Sequence, residues 1–266
     1  MTSQKTDSGF LTRIAQIEGN VVTITLSRPE FANALNAETL SLVLESIDAA
    51  ESEPDARAIV LRGMGKHFCA GADLRELSEN GSKSVRKLLN LFREATQRFE
   101  RSHLLVIGAV QGAARAGGLE LLLACDAVVA STDATLGDAH LANGLLPGGG
   151  STARLHRVIG RARARWMILS AAAIDAQQAL DWGICLEVVS PESLDTRAVE
   201  LARSMSVGHP DAVLRAKRLL AMTDEVSLTS MLEMEIATLE GFASSSVFRD
   251  GVGAFLNRKR AVSASE

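Results

Sequence analysis

The sequence has no surplus of positive charge: 28 Lys and Arg stand against 32 Asp and Glu, for a net charge of −4. That excludes a general electrostatic pull toward nucleic acid or an anionic membrane surface, so any anionic ligand has to be met by local groups. No run of about 18 apolar residues, the length needed to cross a bilayer, occurs anywhere. Residues 1–9 are polar and lack the apolar core of a signal segment. Cysteine is scarce, and Cys69, Cys125 and Cys185 are odd in number and widely spaced among small or apolar neighbours. This pattern fits buried free thiols in a reducing compartment and excludes both a disulfide framework and a CxxC metal site. These absences predict a cytoplasmic protein with no membrane anchor, no nucleic-acid partner and no metal.

Familiar catalytic fingerprints are missing as well. There is no GxxxxGK[ST] loop to cradle a triphosphate and no GxGxxG after a strand with an acid some twenty residues on. Neither a GxSxG elbow, an HExxH pair nor a His-x-Glu with CxxC is present. What the chain does have is length, 266 residues, and 47% apolar content, enough to fill a sizeable core.

Taken in order, residues 10–17 alternate as a half-buried strand does, residues 18–20 supply a turn, and residues 21–26 return as a second strand. Asn36 is placed to cap a helix whose Leu40, Val43, Leu44 and Ile47 share one face. A short buried strand follows at 58–63, then a glycine-containing loop, a helix opening at Asp73, and helical spacing of Val85, Leu88, Leu89, Phe92 and Phe99. Apolar strand segments recur near residues 21, 58, 104, 126 and 185 with helices between most of them, which predicts an α/β chain of stacked βα-type units. Beyond residue 150 the pattern is mostly helical, with Asp175 and Gln178 at capping-box positions. From residue 191 it is wholly helical, with segments near 192–206, 210–222, 226–240 and 245–256. The expected organisation is a leader over 1–9, a catalytic core over 10–190 and a helical region over 191–266. On the third of the late helices, Leu228, Met231, Leu232 and Leu239 fall on one side.

The stretch from Gln111 to Glu120, QGAARAGGLE, organises the rest. It follows an apolar strand and runs into a second apolar segment, so small residues leave backbone N–H groups bare at a helix start, where donors and dipole favour a negative oxygen. Glu120 is a lone acid among Leu119, Leu121, Leu122 and Leu123. A solvent-facing helix acid is the plain alternative, but these neighbours leave little polar face. Two further loops, at 66–74 and 145–152, are glycine-rich, and each alone reads as a turn. Cys69 beside one of them is a packing residue rather than a nucleophile, for nothing near it would depress its pKa.

Together, Ile24-Thr25-Leu26-Ser27-Arg28-Pro29 with Asn33-Ala34-Leu35-Asn36, then Phe68-Cys69-Ala70-Gly71-Ala72-Asp73-Leu74, then Gln111-Gly112 through Gly117-Gly118-Leu119-Glu120 and Cys125-Asp126, resemble the enoyl-CoA hydratase/isomerase (crotonase) superfamily. The likeness covers about residues 10–260. It implies a crotonase-like spiral core of repeated ββα units with a C-terminal helical trimerisation region, giving a homo-trimer or a dimer of trimers. It also implies an acyl-CoA thioester as ligand, with coenzyme A entering as part of the substrate and no permanently bound cofactor. Carried over residue by residue, the family's oxyanion-hole amides fall on Ala70 and Gly117 and its first acid/base carboxylate on Glu120. Binding of the CoA ester falls on Phe31, Ala32, Ala34, Ala70, Gly71, Ala72, Asp73, Leu74, Ala116 and Gly118. Lys66, Arg28 and Arg258-Lys259-Arg260 are candidate phosphate contacts.

The chain departs from the family where hydratases carry their second carboxylate: the match places His140 there. An imidazole can act as acid or base near neutrality, since its unperturbed pKa is about 6.5; a ring that only lines the acyl pocket is the other reading, and both stand at this point. A β-diketone hydrolase branch also has a His there but pairs it with an aspartate where this chain has Gly149. Asp138 can orient His140 only if the backbone bends. The leading expectation is reversible addition of water to a 2-enoyl-CoA. The alternatives are isomerisation, hydrolysis or decarboxylation of a CoA ester on the same fold, or a non-catalytic acyl-CoA binder.

Overall fold

The structure is a computed structural model that describes residues 13–223 and 225–263, with side chains described over 19–78, 81–223 and 225–257. Its strands are β1 (Arg13–Glu18), β2 (Val21–Leu26), β3 (Ala58–Gly63), β4 (Leu105–Val110), β5 (Ala113–Arg115), β6 (Ala127–Ser131), β7 (Thr135–Gly137), β8 (Ala173–Asp175) and β9 (Glu187–Val189). Its helices are α1 (Ala37–Ser52), α2 (Leu74–Arg101), α3 (Gly117–Leu122), α4 (His156–Ile159), α5 (Arg161–Ser170), α6 (Ala176–Asp181), α7 (Leu194–Met205), α8 (Pro210–Met222), α9 (Leu228–Ala243) and α10 (Ser246–Ser263). The leader over 1–9 and residues 10–12 of the expected first strand lie outside the described residues.

The strands form two layers. One sheet has the order β1-β2-β3-β4-β6-β9, antiparallel only between β1 and β2 and parallel thereafter. Parallel strands need crossovers, and α1 and α2 supply the first two. Their apolar stripes, Leu40, Val43 and Ile47 on α1 and Leu88, Phe92 and Phe99 on α2, are buried in one core with Ile24, Ile59, Leu61 and Val106. Asn36 caps α1 by accepting from the Thr39 amide at 2.8 Å, a contact worth about 1 kcal/mol.

The second layer belongs to the ββα repeat that the family resemblance implies, though its individual strands were not read from the sequence. It comprises β5-β7-β8 and is extended by single-residue parallel bridges between Leu35 and Ala72 and between Cys69 and Ala114. Each successive turn of chain therefore lays one long strand in the first sheet and a short extended segment in the second, which is the expected spiral of ββα units. Three-residue strands are too short to show a period of two, so residues 132–137 read only as a turn.

The chain divides into two compact units, residues 1–207 and 208–266. In the first unit α7 lies against β3, β4 and β6, and Arg62 on β3 pairs with Asp195. Within the second unit, α9 meets both α8 and α10, and Phe242 and Phe248 pack edge to face with ring centroids 6.2 Å apart. The apolar side read for α9 is divided: Met231 is buried, whereas Leu228, Leu232, Ile236 and Leu239 are exposed. No helix among the described residues is long and apolar enough to cross a membrane.

Asn33 fastens the loop after β3 to the loop after β2. Its Oδ1 accepts from the Arg28 amide at 2.9 Å, and its Nδ2 donates to Met64 O at 2.9 Å and His67 O at 2.7 Å. It is almost fully buried and sits at φ 55°, a region asparagine tolerates better than most residues. Asn33→Ala is expected to cost about 2–4 kcal/mol through the unpaired groups it leaves. Urea unfolding checks this, and a loss under about 1 kcal/mol would show that the loops do not depend on it.

Candidate active site

The site lies where the second-layer segments 69–72 and 113–118 run side by side. The Cys69 amide donates to Ala113 O at 3.1 Å and the Arg115 amide to Cys69 O at 2.9 Å, so the segments share a ladder. Glycine is obligatory at their contact. A Cβ on Gly118 would lie 2.3 Å from Cys69 O, and one on Gly71 would lie 2.8 Å from the Ala116 Cβ. Ala116, at φ 48° and ψ −116°, is the non-helical residue that turns the chain into α3 with Gly117 at its first position.

One of the two amides implied by the family resemblance is occupied here. The Ala70 N–H donates to Ala32 O at 2.9 Å and is therefore occupied, which corrects its assignment as an oxyanion donor. Gly71 O accepts from the Leu35 amide at 2.7 Å, so the Ala70 N–H and the Gly71 carbonyl both point toward segment 32–35. Successive residues of a regular strand alternate sides. Gly71 breaks that alternation with φ 102°, and the Ala72 N–H then faces away from segment 32–35. Neither the Ala72 nor the Gly117 N–H has a backbone acceptor among the described residues. The signal in the sequence was Gly71 itself, but its dihedral angle is not readable from residue type.

Glu120 is 2% exposed, on the buried α3. Its Oε1 accepts from the Gly149 and Ser151 amides, both at 2.9 Å. This is the purpose of the Pro-Gly-Gly-Gly run, which the sequence showed only as a turn. A Cβ on Gly149 would come within 2.4 Å of both Glu120 Oε2 and the Phe92 ring. No side chain fits there, so the aspartate of the hydrolase branch has no counterpart at that position. With Oε1 held, Oε2 faces His140 Nε2 at 4.0 Å, too far for a direct hydrogen bond.

The backbone bend that His140 required is present. Ala139 lies at φ 57°, and the His140 amide donates back to Asp138 Oδ1 at 3.3 Å. The same turn brings the fully buried Asp138 within 3.0 Å of His140 Nδ1, close but off the line of a well-aligned hydrogen bond. Burial alone would lower the pKa of His140, but the carboxylates of Asp138 and Glu120 outweigh it and hold the imidazole above its ordinary 6.5. Burial would likewise raise Asp138, yet contact with His140 and Ser151 holds that carboxyl below the usual range.

The remaining predicted residues take several roles. Asp73 caps α2 and binds Arg28 at 2.9 Å and Arg75 at 3.3 Å. Burial would push its carboxyl up, but these guanidiniums keep it low. Both arginines lie over the Phe31 ring, at 4.8 and 4.1 Å from its centroid, and Arg28 also donates to Ala34 O at 2.6 Å. Ala32 supplies the carbonyl that takes the Ala70 amide, while Leu74 and Lys66 are exposed. The side chains of Arg258, Lys259 and Arg260 lie outside the described residues. Cys69 is buried with its thiol pushed up to about 12, which leaves it without nucleophilic character near neutrality. No cluster of three or more metal-ligating side chains occurs among the described residues.

A family model described as Enoyl-CoA hydratase/isomerase matches residues 16–264. The short-chain-enoyl-CoA hydratase of Clostridium acetobutylicum is 33% identical, over 93% of this chain and 95% of that protein. The 1,2-epoxyphenylacetyl-CoA isomerase of Escherichia coli K12 is 32% identical, over 92% and 95%. The crystal structure of an enoyl-CoA hydratase from Bacillus anthracis superposes with a TM-score of 0.86 at 33% identity, covering 92% of this chain and 96% of that one. Sequence, crotonase-type fold and paired extended segments agree, and the chain belongs to the enoyl-CoA hydratase/isomerase family.

Proposed function

We propose that the protein is an enoyl-CoA hydratase, adding water reversibly to a 2-enoyl-CoA. The observation that carries this reading is Glu120 Oε2 opposed to His140 Nε2 across 4.0 Å, with Oε1 already anchored by two amides. Such a pair offers a proton acceptor and a proton donor on either side of one small gap. Coenzyme A enters as part of the substrate, and no resident cofactor is invoked.

In the hydration direction, Glu120 Oε2 takes a proton from water as its oxygen bonds to Cβ of the conjugated thioester. The π electrons move toward the thioester oxygen, where the Ala72 and Gly117 N–H groups are the donors free to receive them. Two preorganised donors matter because losing one from such a site costs roughly 100- to 1,000-fold in rate. The enolate then collapses as Cα takes a proton from the His140 imidazolium. A proton passing from Glu120 to His140 restores the starting state. The exposed apolar side of α9 supports the further reading that the active form is a homo-oligomer, a trimer or a dimer of trimers.

A second reading, enoyl-CoA isomerisation by Glu120 alone, is favoured by one fact: the 4.0 Å between Glu120 Oε2 and His140 Nε2 is too long for a direct hydrogen bond, so the carboxylate can work without the ring. In that case His140→Ala would leave the rate within a few-fold. Tight CoA-ester binding with no turnover would instead identify a non-catalytic binder and overturn the hydratase proposal.

The direct test follows the loss of thioester conjugation on short, medium and aromatic 2-enoyl-CoAs. Glu120→Gln is expected to lower the rate by roughly 100-fold or more, and a change of only a few-fold would remove Glu120 from proton transfer. Hydration needs His140 protonated, and its pKa is raised, so kcat/KM should hold through pH 6.5 and decline as pH rises through the higher folded value. Dehydration needs the neutral ring and should show the opposite limb. Gly149→Ala should displace Oε2 and reduce turnover about 100-fold, the scale of a 1 Å misplacement, with CD confirming retained structure.

A further inference from the structure

His140 does not stand alone in its loop. Two carboxylates lie near its ring, Asp138 from its own segment and Glu120 from α3, and the amide of Ser151 holds the second of them. The Ser151 amide donates to Glu120 at 2.9 Å, and its side chain is among the contacts that hold the Asp138 carboxyl low. Asp138 is fully buried, and an aspartate buried without a cation of its own is costly unless something compensates it. Among the described residues the one titratable cation within ion-pair distance of Asp138 is His140, with Nδ1 at 3.0 Å from Oδ1.

We propose that Asp138 is a positioning residue for His140: its carboxylate holds the Nδ1 edge of the ring, so that Nε2–H is turned toward Glu120. The inference rests on the hydratase reading for its consequence but on the loop geometry for its substance. A ring nitrogen's proton is placed by the hydrogen bond the other nitrogen makes. The 3.0 Å approach of Asp138 Oδ1 to Nδ1 is an ion-pair contact rather than an aligned hydrogen bond; it favours a proton on the Nδ1 edge and leaves Nε2 as the nitrogen that faces Glu120. The turn at Ala139, φ 57°, and the His140 amide bond to Asp138 Oδ1 fix the spacing of the two side chains. Burial opposes a charged imidazole, and the two carboxylates outweigh it. The arrangement replaces a hydratase's second glutamate with a carboxylate–imidazole pair drawn from three consecutive residues.

The test uses the full chain. Long-range 15N–1H spectra titrated against pH resolve its five histidines, and His140→Ala identifies the signal of interest. The expected result is a His140 midpoint above 6.5 in the wild type and a lower midpoint in Asp138→Asn, an isosteric change. In turnover, Asp138→Asn should move the alkaline limb of kcat/KM to lower pH. It should reduce kcat at pH 8 by at least about 10-fold with KM nearly unchanged. It should add little on top of His140→Ala, as residues acting as one unit do. A wild-type midpoint at or below 6.5 would overturn the proposal without any variant, and so would an unmoved midpoint in a folded Asp138→Asn. If no 2-enoyl-CoA is hydrated but the midpoint moves as expected, the pairing stands and the reaction assignment fails.

Discussion

A carboxylate removed from water has to be compensated, and the candidate site is built around one such act of compensation. Glu120 lies on a six-residue helix among leucines, with its Oε1 held by the amides of Gly149 and Ser151. Those amides belong to a loop nearly thirty residues further along the chain, so fixing one oxygen also fixes the loop. The free oxygen, Oε2, is thereby aimed at the His140 ring, whose other edge lies 3.0 Å from Asp138. Phe92 closes the same space from α2, its ring at the distance where any side chain on Gly149 would collide. Four stretches of sequence thus depend on satisfying a single buried acid.

Much of the framework was legible because long elements advertise themselves. The parallel strands at 21–26, 58–63 and 105–110 are six-residue segments rich in Val, Ile and Leu, and α1 announces its start at Asn36 and its buried face at Leu40, Val43 and Ile47. Glu120 was legible for a related reason: an acid inside a leucine run has no solvent face to occupy. The second layer was not, since β5, β7 and β8 have three residues each and their pairing is a matter of tertiary register. The neighbours of α7 are unreadable for the same cause. Its amphipathic pattern says that one side is buried, but not whether strands or helices bury it.

At the site the division is finer. Residue types located the loops, while dihedral angles decided which groups in them are available. Ala70 and Ala72 are the same residue two positions apart, and the first has its amide occupied while the second does not. Asp138 and His140 are separated by an alanine in a left-handed conformation, which alanine rarely adopts and which no local composition foretells. Strain of that kind is kept where the surrounding structure overrides it, here at both Ala116 and Ala139 beside the buried acid.

Gly71 carries a consequence for the sign of the site. In an uninterrupted strand, donors and acceptors take turns on each edge, so the edge facing Gly117 would be neither electropositive nor electronegative. One achiral residue at φ 102° shifts that sequence by a step and leaves a donor on the inner edge. Any L-residue would resist the angle and press against Ala116, drawing the chain back toward strict alternation. Which group this edge presents, an amide or a carbonyl, is thus written in the handedness permitted at a single position.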